Sequence, residues 1–123
     1  MARQASPGEL RTRLYIRKMV KRTDSEGSAS EREESVFSPD PDGKERMWHC
    51  KWVNAYGSEV FAAMQAQVQE PATLTMRYSK LIQPDHLIYR VGDPMPYEII
   101  SINDVEERHT WLEVKVKRRR AAR

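Results

Sequence analysis

The chain has 123 residues, with 21 Lys+Arg against 18 Asp+Glu for a formal net charge of +3. That length supports one domain around one core, spanning 1–123. No apolar run approaches the roughly 18 residues a membrane-crossing helix needs, and no charged-then-apolar secretory leader is read at the start. The single cysteine, Cys50, cannot pair within the chain, which points to a reducing compartment. Four bases, Arg118, Arg119, Arg120 and Arg123, lie in the last six residues, and without them the rest carries −1. The body, about 8–117, is therefore near neutral and the tail, 118–123, is basic.

Arg13-Leu14-Tyr15-Ile16-Arg17 alternates apolar and polar residues, the pattern of a strand with one wet face. From 24 to 45 the period is lost. Eight acids (Asp24, Glu26, Glu31, Glu33, Glu34, Asp40, Asp42, Glu45) face two bases (Arg32, Lys44), a net of −6, among serines, Gly27, Gly43, Pro39 and Pro41. So few apolar groups cannot offset the entropy of ordering, and a long mobile loop is expected, with Val36 and Phe37 as a local anchor.

Order returns with Trp48, Cys50 and Trp52 on one face of a strand and His49 and Lys51 on the other. Ser58 suits a helix cap and Glu59 the positive end of the dipole; Val60, Phe61, Met64 and Val68 share one helical face, and Pro71 stops the run. One helix over about 58–69 is expected. The remainder reads as strands. Ala72, Leu74, Met76 and Tyr78 share a face, and Leu87 to Val91 alternates after the turn at Pro84-Asp85. Tyr97 to Ile102 follows, where adjacent Ile99 and Ile100 suit a bulge or a strand covered on both faces. Leu112, Val114 and Val116 line the last strand. The fold class is mainly β: a small antiparallel barrel or sandwich of about six strands, with one helix and a long flexible loop at about 24–45.

Candidate chemistry is thin. His49 and Cys50 are neighbours on a strand and point to opposite faces, so the imidazole cannot activate the thiol. Between two inward tryptophans, Cys50 reads as a small core residue. His49, His86 and His109 have no metal-ligand spacing. The carboxylates of 24–45 lie on a loop that cannot hold a tuned pair, and no phosphate-cradling glycine motif is present. No catalytic, cofactor or metal residues are assigned, and an enzyme is not expected. A second reading is a small barrel binding single-stranded nucleic acid through the basic tail and through Trp48, Trp52 and Trp111. Against it stands the absence, along the chain, of the charge stripe such a protein needs.

The order of elements nevertheless resembles a known family. Gly8-Glu9-Leu10-Arg11-Thr12-Arg13-Leu14-Tyr15-Ile16 resembles the opening of the head–tail adaptor, head-closure or stopper proteins of tailed phages. Trp52 to Glu59 is similar to that family's tryptophan strand and helix start. Thr75-Met76-Arg77-Tyr78, Ile82-Gln83-Pro84-Asp85, Tyr89, Tyr97, Ile99, Ile102, Arg108 and Leu112-Glu113-Val114 continue the likeness in order. The 24–45 segment is longer and more acidic than the family's usual hairpin, and 91–96 is lengthened too.

The resemblance implies a structural virion protein, assembled in the host cytoplasm. It would form a ring below the portal and adaptor, close the DNA channel and offer a docking surface to the tail. It also implies passing contact with packaged double-stranded DNA. Asp24, Glu26, Glu31, Glu33, Glu34, Val36, Phe37, Asp40 and Asp42 would form the channel or partner segment. Arg118, Arg119, Arg120 and Arg123 would form a tail for a partner or DNA.

Overall fold

Seven stretches take up extended backbone in the computed structural model, which describes residues 7–23, 25–55 and 70–119. They are β1 (Thr12–Thr23), β2 (Ala29–Ser35), β3 (Trp48–Asn54), β4 (Ala72–Arg77), β5 (Leu87–Arg90), β6 (Tyr97–Asp104) and β7 (Trp111–Arg118). Closure turns on β1. Leu14 pairs with Trp48 of β3 on one edge and with Arg90 of β5 on the other, so the order β1-β3-β4-β7-β6-β5 returns to β1. Six strands, each antiparallel to its neighbours, make a closed barrel without edges.

The interior follows the period-two alternation of each strand. Leu14 and Ile16, Cys50, Leu74 and Met76, Ile88, Val114 and Val116 are completely enclosed. Each buried Leu, Ile or Val contributes roughly 1.5–3 kcal/mol. Trp48 and Trp52 are half-buried and pack against this core, as the inward face of β3 requires. Trp48 stacks on Phe37 with ring centroids 4.5 Å apart, and Trp52 meets Tyr97 edge-on at 4.8 Å. The paired isoleucines mark a bulge: the β6–β7 register shifts between Ile99 and Ser101, and Ile100 is turned outward.

The expected loop over 24–45 is corrected by β2. Ala29–Ser35 is a strand, paired with β1 from Arg17↔Ser35 to Thr23↔Ala29. Its composition is that of a loop because none of its side chains enters the core. Its partners come from β1, whose 12 residues run past the barrel. A turn at Gly27, with φ at +84, reverses the chain at the tip. Val36 and Phe37 do anchor the return: the Val36 N–H donates to the Ile16 carbonyl at 2.9 Å and Phe37 is buried. The helix expected over 58–69 lies outside the described residues.

Candidate functional site

Among the described residues, side chains from distant parts of the chain are joined by hydrogen bonds at two places on this barrel: the root of the β1–β2 hairpin, and the barrel mouth where β7 ends. At the root, Arg17 pairs simultaneously with Ser35 of β2 and Leu87 of β5, the last point at which β1 has neighbours on both edges. Beyond it, residues 18–23 pair with β2 alone, and the two strands project as an arm of about 20 Å.

Arg17 ties the arm to the body. Its guanidinium donates to both oxygens of Glu45, at 3.0 Å from Nε and 2.8 Å from Nη2, and lies 3.7 Å from Glu33. It also sits 4.7 Å from the Tyr89 ring centroid and 5.4 Å from that of Tyr15. The Tyr89 hydroxyl donates to Glu33 at 2.5 Å. The Glu45 hydrogen bonds raise the Arg17 pKa above the usual arginine value, against the opposing effect of burial. Burial, then the bond to Glu33, raises that of Tyr89. One cation thus joins β2 through Glu33, the 36–47 segment through Glu45, and the barrel through two tyrosines.

The acids expected to form a channel segment are dispersed by this arrangement. Glu31 faces Lys21 across the arm at 3.7 Å, and Glu34 binds Arg32 at 2.7 Å. Asp40 lies 3.4 Å from Arg46, and the Asp42 carboxylate accepts the Lys44 N–H at 3.0 Å. Glu26 is exposed at the tip turn, and Asp24 lies outside the described residues. Glu33 and Glu45 converge on Arg17. The net −6 of the segment is partly offset by β1, whose bases stand opposite β2.

At the mouth, the basic tail is corrected at its first residue. Arg118 is the last residue of β7, not part of a free extension. Its Nε donates to Glu70 at 2.7 Å and its Nη1 to Asp93 at 2.6 Å, with the guanidinium 4.4 Å from the Tyr97 centroid. The carboxylates hold the Arg118 pKa above its usual value. The Met95 N–H, then Arg118, holds Asp93 below the ordinary carboxylate range. Arg90 covers Trp52 at 4.8 Å beside them. Arg119 is exposed, its N–H donating to the Pro96 carbonyl at 3.1 Å, while Arg120 and Arg123 lie outside the described residues. No sequence signal links Arg17 to Glu45 or Arg118 to Asp93: the partners are 28 and 25 residues apart.

The remaining candidates are separated or enclosed. Cys50 points into the core, where burial pushes its thiol up to about 12, and His49 lies on the opposite, exposed face. His86 is buried, accepts the Gln83 N–H on Nδ1 at 3.0 Å, and has its pKa lowered by desolvation against the opposing effect of Asp85. Among the described residues no three His, Cys, Asp or Glu side chains are grouped to hold a metal ion. A cavity of about 530 Å³ opens beside Leu10, Met47, Trp48, His49 and Arg77, and its one carboxylate, Asp40, is engaged by Arg46. Among the described residues, no helix is long and apolar enough to cross a membrane.

A sequence model of the phage head completion proteins matches residues 5–119. No curated protein matches the chain. Among solved structures, the solution structure of protein SF1141 from Shigella flexneri 2a is similar at a TM-score of 0.64 and 20% identity, over 93% of this chain and 96% of that one. At that identity the likeness speaks for the fold.

Proposed function

The chain belongs to the phage head completion protein family, and from that premise we propose that it closes the DNA exit of the filled capsid and presents a docking surface to the tail. The family is structural rather than enzymatic, and its members are components of the virion that work against other head and tail proteins. In this reading, copies assemble in the host cytoplasm as a ring below the portal and adaptor. The β1–β2 arm is the element that reaches into or across the channel.

The observation that carries the reading is the arm itself. A barrel closed by six strands has no need of a polar hairpin projecting about 20 Å beyond its last two-sided contact. Both edges of that hairpin are free of strand partners among the described residues, which is costly unless another chain or a channel receives them. Its root is fixed by Arg17, so the arm is held at a set angle instead of swinging from a linker. Single-stranded nucleic-acid binding through the tail and tryptophans has less support, because Arg118, Trp48 and Trp52 are engaged in the barrel.

The test is complementation of phage particles lacking this protein with a chain in which 19–33 is replaced by a tight turn. The expected result is heads that recruit the shortened chain but lose DNA and accept tails poorly. Full DNA retention would remove the arm from the closing role. Failure of the intact chain to join heads at all would remove the connector reading.

A further inference from the structure

The strand register assembles on the outer face of the barrel a charge row that the chain order conceals. Arg13 of β1 stands opposite His49 of β3, and Arg77 of β4 stands opposite Trp111 of β7. His49 and Arg77 adjoin one step beyond the Cys50↔Met76 pair and line the same cavity. Four side chains from four strands therefore form a line of about 14 Å across the sheet. The next outward rows are Lys51, Thr75 and Glu113, then Val53, Thr73 and Lys115.

Over the three rows, Arg13, Lys51, Arg77 and Lys115 stand against one acid, Glu113. Arg13, His49, Arg77 and Lys115 are exposed. Among the described residues none of the four Lys or Arg side chains has a carboxylate partner; Arg77 instead lies 6.0 Å from the Trp111 ring centroid. This contrasts with Arg17, Arg32, Arg46 and Arg118, which are each paired.

We propose that this face binds the phosphate backbone of double-stranded DNA. A protein partner is disfavoured by the make-up of the face: Lys51, Lys115, Thr73 and Thr75 make up much of it, lysine is depleted at protein interfaces, and Val53 is its one exposed aliphatic side chain. A single strand is disfavoured because the row offers only one small ring in its middle, the His49 imidazole, and Trp111 at its end is half-buried, a poor platform for stacking successive bases. What remains is cations, with the hydroxyls of Thr73 and Thr75 between them, suited to phosphates and indifferent to sequence. The face lies on the barrel wall, apart from the arm, so it adds a contact that the head-closure role does not require.

Fluorescence anisotropy with a duplex of about 20 bp, over roughly 50 to 200 mM salt, tests it on the full chain. Four phosphate contacts predict a log–log slope near −3.6 (about 0.9 per contact) and an affinity loss on the order of 100-fold across that range. The variant R13Q/K51Q/R77Q should bring the slope to about −0.9 and weaken binding at low salt by about tenfold or more. A control with the same charge change elsewhere, K18Q/K44Q/K80Q, should keep both, and thermal melts of the two variants should agree with the parent.

Equal losses in the two variants would assign any binding to net charge and overturn the proposal. So would the absence of salt-dependent binding by the parent, tighter binding to oligo-thymidylate than to the duplex, or equal displacement by poly-glutamate of matched charge. None of these results bears on whether the chain joins phage heads, so the two readings fail separately.

Discussion

The barrel and the arm are made from the same strand, β1, yet they are held by different forces. From Thr12 to Arg17, β1 has a partner on both edges or buries Leu14 and Ile16 completely, and apolar contact dominates. From Lys18 to Thr23 it has one partner, and the pairs across the arm are Lys18↔Glu34, Met19↔Glu33, Val20↔Arg32 and Lys21↔Glu31. The exposed Lys21–Glu31 ion pair among these contributes little, and an isolated two-stranded ribbon is marginal in water. The arm therefore owes its position to its root, where Arg17 is only 29% exposed and its bonds to Glu45 are short. One strand thus serves as a rigid wall and as a projecting probe.

Four experiments test this contrast, and the largest effect belongs to the barrel. Leu74→Ala, at a fully enclosed position, should cost about 2–5 kcal/mol in denaturant unfolding and lower protection throughout the barrel. An effect confined to the arm would invert the comparison. Arg17→Met comes next, at about 2 kcal/mol, because it leaves Glu45 and Glu33 half-buried without their cation. Its particular sign is a loss of amide protection in Ala29–Ser35 larger than the loss shared by the barrel strands. Unchanged exchange there would show that the arm holds itself.

The mouth clasp should be visible in pH dependence. Asp93 is held below the ordinary carboxylate range in the folded state, so its contribution is fully present above the unfolded value. That contribution should fade as the pH falls from about 4 toward the lower folded value. Arg118→Met should flatten that acid limb of the stability curve, and an unchanged limb would deny the clasp a role. The smallest effect belongs to Lys21 and Glu31, whose coupling in a double-mutant cycle should be about 0.5 kcal/mol or less and vanish in high salt, since Lys21 is 82% exposed.

How much was legible along the chain follows from which interactions are local. The six barrel strands could be read because alternation belongs to each segment by itself: Leu74 and Met76 face inward for the same reason that Thr75 does not. The adjacent Ile99 and Ile100 were legible as an irregularity, fitting either a bulge or a strand covered on both faces, and the β6–β7 register decided for the bulge. The strand β2 was not. Ala-Ser-Glu-Arg-Glu-Glu-Ser has no apolar face, and only the presence of a longer, basic β1 beside it makes extended pairing favourable. Arg118 looked like the start of a tail because Glu70 and Asp93, its counter-charges, are 48 and 25 residues away.

The amino-acid order by itself determined the barrel's inner wall, since periodicity and residue type are properties of short stretches. The register between strands decided the rest: closure through Leu14, the arm and its arginine root, the clasp at the mouth, and the cationic row from Arg13 to Trp111. Those features join residues tens of positions apart. Pairing energies across such separations depend on which strands become neighbours, and no local pattern encodes that.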